Sequence, residues 1–208
     1  MQFLKFIVSG FQSPGAVVQW IILICMFAGI ALILERLWYL FLKCGMSSAS
    51  FMAGISKYLK TGDYDKATQY STSVNTPLAK SIAAVLQSRG KGAKAAQKAV
   101  DEVFLTEAPK IQRNLGTLAM LANVSTLLGL LGTIYGLMQA FDAIANIPAA
   151  QRAQALANGI AFAMSTTLFG LIVAVPLIFL HSILGRKSEQ LIEEMDEKTA
   201  KLINLVEE

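Results

Sequence analysis

The chain has 208 residues, of which 54% are apolar and only 15% charged, with a formal net charge of +4 and a mean hydropathy of +0.52. An average soluble domain carries about 25% charged residues, so this balance excludes a disordered, collagen-like or disulfide-stapled chain and argues against an ordinary soluble enzyme. The charges are also segregated: none occurs from Phe6 through Leu34, from Asn114 through Phe141, or from Ala153 through Gly185. A bilayer span needs about 20 apolar residues, and a charge at mid-membrane costs roughly 2.5–3.5 kcal/mol. The three runs predict an all-α integral membrane protein with three transmembrane helices, long cytoplasmic helical extensions and an N-terminal interfacial helix.

In chain order, residues 1–15 carry Phe3, Leu4, Ile7, Val8 and Phe11 at helical spacing before a Ser13-Pro14-Gly15 break. This pattern predicts an amphipathic helix in the outer interface; its thin polar face leaves open a simple extension of the first span. Span one is expected over 16–42. Its run lacks a strongly basic n-region and is too long for an h-region, so it should stay as an anchor rather than be removed. Cys25 and Cys44 lie 19 residues apart, roughly 28 Å along a helix, too far for a bridge; they read as small hydrophobes.

Residues 43–114 form a polar, helical cytoplasmic region. Phe51, Ile55, Tyr58 and Leu59 share one face, Thr61-Gly62-Asp63 ends that segment, and a second stops before Asn75-Thr76-Pro77. Ile82, Val85 and Leu86 resume the pattern, and Arg89-Gly90-Lys91-Gly92 connects to a long helix expected to run from about Ala93 into span two, with Pro109 as a kink. Span two is placed at 115–141, a periplasmic loop at 142–156, span three at 157–184 and a cytoplasmic helical tail at 185–208. In that tail Leu191, Met195, Leu202 and Val206 make an apolar stripe suited to a partner helix.

Between Lys43 and Arg113 there are eleven Lys/Arg against five Asp/Glu. The positive-inside rule therefore puts this region and the C-terminus in the cytoplasm, with the N-terminus and the 142–156 loop outside. The positive balance is a topology signal; the basic residues sit beside membrane and alternate with acids, which is a poor pattern for nucleic-acid binding.

No constellation for bond-making chemistry is present. His181 is the single histidine, without companions at ligand spacing, and Gly90-Lys91-Gly92 lacks the rest of a phosphate loop. The expectation is a non-enzyme without a resident cofactor. The informative residues are small and polar inside the spans. Thr126, Gly129, Thr133, Gly136 and Ala140 recur at intervals of three or four in span two, and Gly159, Ala163, Thr167, Gly170 and Ala174 do so in span three. Such stripes let membrane helices approach closely, and hydroxyls can bond across the gap. Thr133 lies roughly 12 Å and Thr167 roughly 14 Å below the outer end of its span at 1.5 Å per residue, so the two hydroxyls should share a depth. Either they cement a helix pair or they line a hydrated ion path. Apart from Glu35 beside Arg36, no span contains an acid. A relay through a membrane needs an ionisable carrier, so a conducting chain would need a partner to bring the carboxylate.

At this point the sequence resembles the ExbB/TolQ/MotA family of ion-channel and stator subunits over nearly its whole length. Leu127-Leu128-Gly129-Leu130-Leu131-Gly132-Thr133 with Gly136 and Phe141 is similar to that family's span-two signature. Gly159-Ile160-Ala161, Thr167, Gly170-Leu171 and Ala174-Val175-Pro176 are similar to its span-three signature. Gly62-Asp63, Ala67 and Thr76-Pro77-Leu78-Ala79 resemble the cytoplasmic region of the three-span ExbB/TolQ branch. The resemblance implies a multi-pass protein of the bacterial inner membrane, N-terminus periplasmic and C-terminus cytoplasmic, forming a homopentamer among membrane lipids. A single-span partner of the ExbD, TolR or MotB kind would supply the ion-carrying Asp, and proton or sodium flow would drive work on the envelope: nutrient or biopolymer transport, envelope maintenance or gliding. It implies ion-pathway roles for Thr133 and Thr167, and helix-packing roles for Gly129, Gly132, Gly136, Gly159, Gly170 and Pro176.

There are departures from the family pattern. Phe162 stands where ExbB and TolQ usually have Glu, Thr126 replaces a proline, and His181-Ser182 replaces Tyr-Asn. Thr166 replaces the Ala of proton-using members, giving Ser165-Thr166-Thr167, which resembles sodium-using stators; an added hydroxyl is a hard oxygen ligand for a dehydrating cation. The other reading of the chain is a non-conducting membrane scaffold that assembles partner proteins.

Overall fold

The structure is a computed structural model that describes residue 11 and residues 16–44, 48–145 and 147–207. The expected interfacial helix at 1–15 lies outside the described residues apart from Phe11. All regular structure among the described residues is helical, and three helical stretches are long and apolar enough to cross a membrane. The chain is a multi-pass integral membrane protein. It divides into two compact units, Met1–Leu34 with Asn114–Ser182, and Glu35–Arg113 with Ile183–Glu208.

In the first unit, α1 (Ala16–Leu37) is built almost entirely of apolar side chains. It buries one narrow stripe, Gln19, Ile22, Cys25, Gly29 and Ile33, at intervals of three and four, whereas Val17, Trp20, Ile24, Phe27 and Leu34 face outward. Apolar groups exposed on that scale would be a liability in water; in lipid they are what the solvent requires. α6 (Leu115–Ala145) and α7 (Ala149–Glu207) supply the other two spans. The segment expected as a loop, 142–156, is helical at both ends, and of its described residues only 147 and 148 lie outside the helices. Pro176 sits inside α7 without ending it. A proline interrupts a helix by removing one N–H donor, and membrane helices tolerate this where the freed carbonyl finds another partner.

The second unit begins with the last turn of α1, which widens into a π-helical stretch, Trp38–Lys43, closed by the Cys44 N–H donating to the Tyr39 carbonyl at 3.0 Å. Four helices follow: α2 (Ser48–Lys60), α3 (Tyr64–Ser73), α4 (Pro77–Gln87) and α5 (Ala93–Gln112). Their ends carry local chemistry. The Asp63 carboxylate accepts from the Lys66 N–H at 3.3 Å to cap α3, and the Thr76 hydroxyl accepts from the Ala79 N–H at 3.3 Å to cap α4, with Pro77 at the first helical position. Both are preferred N-cap arrangements.

The apolar faces predicted from spacing converge in a core. Phe51, Ile55, Ala67, Ala79, Ile82, Val85, Leu86, Ala96 and Val100 are buried together with Leu202 and Ile203 from the end of α7. Phe51 stacks on Tyr70 at 5.6 Å between ring centroids. Burying each large aliphatic side chain here contributes about 1.5–3 kcal/mol.

The long helix expected to run from Ala93 into span two is instead two helices. α5 passes through Pro109 and stops at Gln112; Arg113 is extended and Asn114 takes φ +62° before α6 begins. Asparagine tolerates this left-handed conformation better than most residues with a side chain, and its carbonyl accepts the Leu118 N–H at 3.1 Å to start α6. The break therefore falls at the asparagine, not at the proline.

Candidate functional site

The small residues of α6 and α7 meet along an antiparallel seam inside the first unit. A methyl placed on Gly159 would lie 2.2 Å from the Ala140 Cβ, and one on Gly136 would lie 3.1 Å from the Ala163 Cα. One on Gly132 would meet the Thr166 Cβ and Oγ1 at 2.6 Å. One on Gly170 would meet the Ser125 carbonyl oxygen at 2.7 Å, and Gly129 faces the Thr167 Cα. As the α6 number falls the α7 number rises, as antiparallel pairing demands. The seam thus runs over residues 125–140 of α6 and 159–170 of α7, the close approach that small stripes permit in lipid.

Hydroxyls line and cross this seam. Thr167 Oγ1 donates to the Gly129 carbonyl at 3.0 Å, a bond between the two helices. Thr166 is fully buried; its Oγ1 donates to the Ala163 carbonyl at 2.8 Å, with Gly129 O at 3.5 Å. Ser165, also buried, donates to the Phe162 carbonyl at 2.7 Å. Thr133 is only half-buried and donates to the Leu130 carbonyl of its own helix at 2.6 Å. Thr167 and Thr133 therefore sit one helical turn apart along α6, with Thr167 opposite Gly129.

The buried face of α6 runs through Ala122, Ser125, Gly129, Gly132, Gly136 and Ala140. The expected stripe is thus right at Gly129, Gly136 and Ala140, but Thr126 and Thr133 flank it, and Ser125 and Gly132 take their places. Steps of three and of four both preserve a helical face, so spacing alone permits either path away from Gly129. In α7, Ala163, Gly170 and Ala174 lie on the buried face and Phe162 lies against Gly136. Pro176 is exposed between buried Ala174 and Leu177 and takes no part in this seam within one chain.

One participant escaped sequence reasoning. Gln19 of α1 is fully buried, and its Nε2 lies 3.5 Å from Ser165 Oγ. Its Oε1 accepts no hydrogen bond among the described residues. The available signal was an amide inside an otherwise apolar span, where an unsatisfied polar atom is expensive. The site therefore offers oxygen atoms from Ser165, Thr166, Thr167 and Gln19, and from Thr133 nearby. The side chains of this set carry no formal charge.

Comparison with known sequences bears on this arrangement. The pattern of the MotA/TolQ/ExbB proton channel family matches residues 73–197, which span the end of α3 through most of α7. The chain is 28% identical over 193 residues to a biopolymer transport protein ExbB homologue of Methanothermobacter thermautotrophicus, covering 92% of this chain and 67% of that one. It is 24% identical over 196 residues to the biopolymer transport protein exbB1 of Vibrio cholerae, covering 93% and 86%. Over 86 residues it is 35% identical to the Tol-Pal system protein TolQ of Pseudomonas aeruginosa, covering 41% and 37%.

Proposed function

The chain belongs to the MotA/TolQ/ExbB proton channel family, and on that premise we propose that it is the pentameric channel or stator subunit of an inner-membrane motor. A single-span partner of the ExbD, TolR or MotB kind brings an aspartate into the membrane, and this subunit provides the uncharged walls along which the ion moves. In this reading the N-terminus is periplasmic and the C-terminus cytoplasmic. Each charge crossing supplies about 2.3 kcal/mol per 100 mV, delivered as mechanical work on the cell envelope.

The observation that carries the reading is the hydroxyl-bearing seam itself. Thr133 and Thr167 bracket one turn of α6, in spans that hold no acid between Asn114 and Phe141 or between Ala153 and Gly185. A wall of hydroxyls can solvate a moving ion but cannot carry a proton by changing its own charge, so the carrier belongs to the partner. The exposed Leu127, Leu130, Leu131, Ile134 and Met138 of α6 are surfaces for lipid and for neighbouring copies.

The decisive experiment co-reconstitutes the chain with its partner in liposomes and follows ion-driven flux. Thr133→Ala and Thr167→Ala each lower flux at least tenfold while the assembly keeps its size; a scaffold without a conducting role would tolerate both. Replacing sodium by choline identifies the ion. Loss of flux assigns sodium, coordinated with help from the Thr166 hydroxyl, and unchanged flux assigns the proton.

A further inference from the structure

The second unit contains a cavity of about 240 Å³ whose lining is strongly basic. Arg36, Lys43, Lys80, Lys110 and Arg113 face it against two carboxylates, Glu35 and Glu107, an excess of three positive charges. The carboxylates are already engaged. Glu35 pairs with Arg36 at 2.7 Å, and a single oxygen of Glu107 receives both Lys80 at 3.0 Å and Lys110 at 2.8 Å. Lys43 and Arg113 form no ion pair among the described residues.

A second observation points the same way. Arg36 is 2% exposed, and its Nη1 donates to the Lys110 carbonyl at 3.1 Å, yet its buried Nε–H has no acceptor among the described residues. An orphaned donor on a buried guanidinium, in a cavity with surplus positive charge, is an unmet demand for an anion. Guanidinium and ammonium groups together match the several oxygens of a phosphate better than the two of a carboxylate. The cavity's height follows from the sequence: Glu35 and Arg36 directly follow the first uncharged run, and Arg113 directly precedes the second. Both are junctions between hydrocarbon and headgroup depth, where basic pockets recognise anionic headgroups.

We propose that this cavity binds a phosphate group, contributed by the headgroup of an anionic phospholipid. The site is independent of the ion path and would exist in a scaffold as readily as in a motor.

Native mass spectrometry of the full-length protein, delipidated in a neutral detergent, tests it. Phosphatidylglycerol and phosphatidylcholine are titrated separately, and the phosphatidylglycerol series is repeated with millimolar inorganic phosphate. Wild type retains phosphatidylglycerol about tenfold more strongly than phosphatidylcholine. The Lys43→Gln/Arg113→Gln double variant loses that preference, since each basic residue near a headgroup contributes on the order of a few-fold or more. Both side chains are exposed, so the variant should fold, and an unchanged thermal midpoint verifies it; the single Lys43→Gln variant, with a partial loss, serves if it does not. Retention of the lipid in the presence of inorganic phosphate assigns the site to a headgroup. Displacement by inorganic phosphate assigns the same chemistry to a free phosphate compound. Equal retention of the two lipids, or a preference that survives the substitutions, overturns the proposal.

Discussion

The two units solve the same problem, holding helices together, with opposite materials. The second unit is held by volume: Phe51, Ile55, Ile82, Val85 and Leu202 fill the space between α2, α3, α4, α5 and the end of α7. The first is held by the lack of volume, with Gly129, Gly132, Gly136, Gly159 and Gly170 letting α6 and α7 come into backbone contact. The difference follows from solvent. In water, large apolar side chains associate because water excludes them. In lipid they gain nothing by leaving the hydrocarbon, and association rests on close van der Waals contact and a few hydrogen bonds. Along the seam, Leu127, Leu130, Leu131, Ile134 and Met138 of α6 accordingly point outward, whereas Ile82, Val85 and Leu86 of α4 point in.

This contrast predicts opposite responses to side-chain size. The largest effect is expected in the water-facing core: Ile82→Ala should destabilise the second unit by about 2–5 kcal/mol, read as earlier proteolysis of the 48–113 region in the full-length protein. In the seam the sign reverses. Gly132→Ala adds one methyl against the β-branched Thr166 and should cost about 1–3 kcal/mol as overpacking, seen as a lower thermal midpoint in detergent. A neutral Gly132→Ala would break the comparison.

Charge gives a third test. Burial works to raise the Glu107 carboxyl, but hydrogen bonds from Lys110 and Lys80 outweigh it and hold the group below the ordinary glutamate value. A depressed folded value means that the stabilisation is present above the unfolded value of about 4.3 and is lost as pH falls through the lower folded one. Glu107→Gln should therefore weaken the second unit by about 1–3 kcal/mol at neutral pH. Its thermal midpoint should converge with wild type as pH drops below about 4. The smallest effect is expected at a helix end: Thr76→Ala removes the cap of α4 and should cost about 1 kcal/mol, detectable as faster amide exchange at Leu78 to Lys80.

The fold class was legible because charge segregation over runs of about thirty residues leaves few alternatives, and the breaks at Asp63 and Thr76 announce themselves by N-cap chemistry. The end of α5 was not. Pro109 is the louder signal, but a helix tolerates proline where water can serve the freed carbonyl, as at exposed Leu105, whereas a lone asparagine gives little warning of a left-handed turn. Within the seam the glycines were legible as a face. The side on which Thr126 and Thr133 would fall was not, because periods of three and four through Gly129 diverge by only a fraction of a turn. The burial of Gln19 against Ser165 joins residues 146 apart, and no local pattern encodes such a contact.

The glycine seam has a consequence for how the helices come together. Freezing a long side chain on association forfeits up to about 2 kcal/mol of rotamer entropy, whereas glycine and alanine have none to lose. Thr166 is restricted at χ1 by its branched Cβ and pinned to the Ala163 carbonyl before any partner arrives. The faces of α6 and α7 are thus nearly as ordered apart as joined. Two such helices can insert separately and then close on one another at little entropic expense, and they can part and close again without a rotamer search.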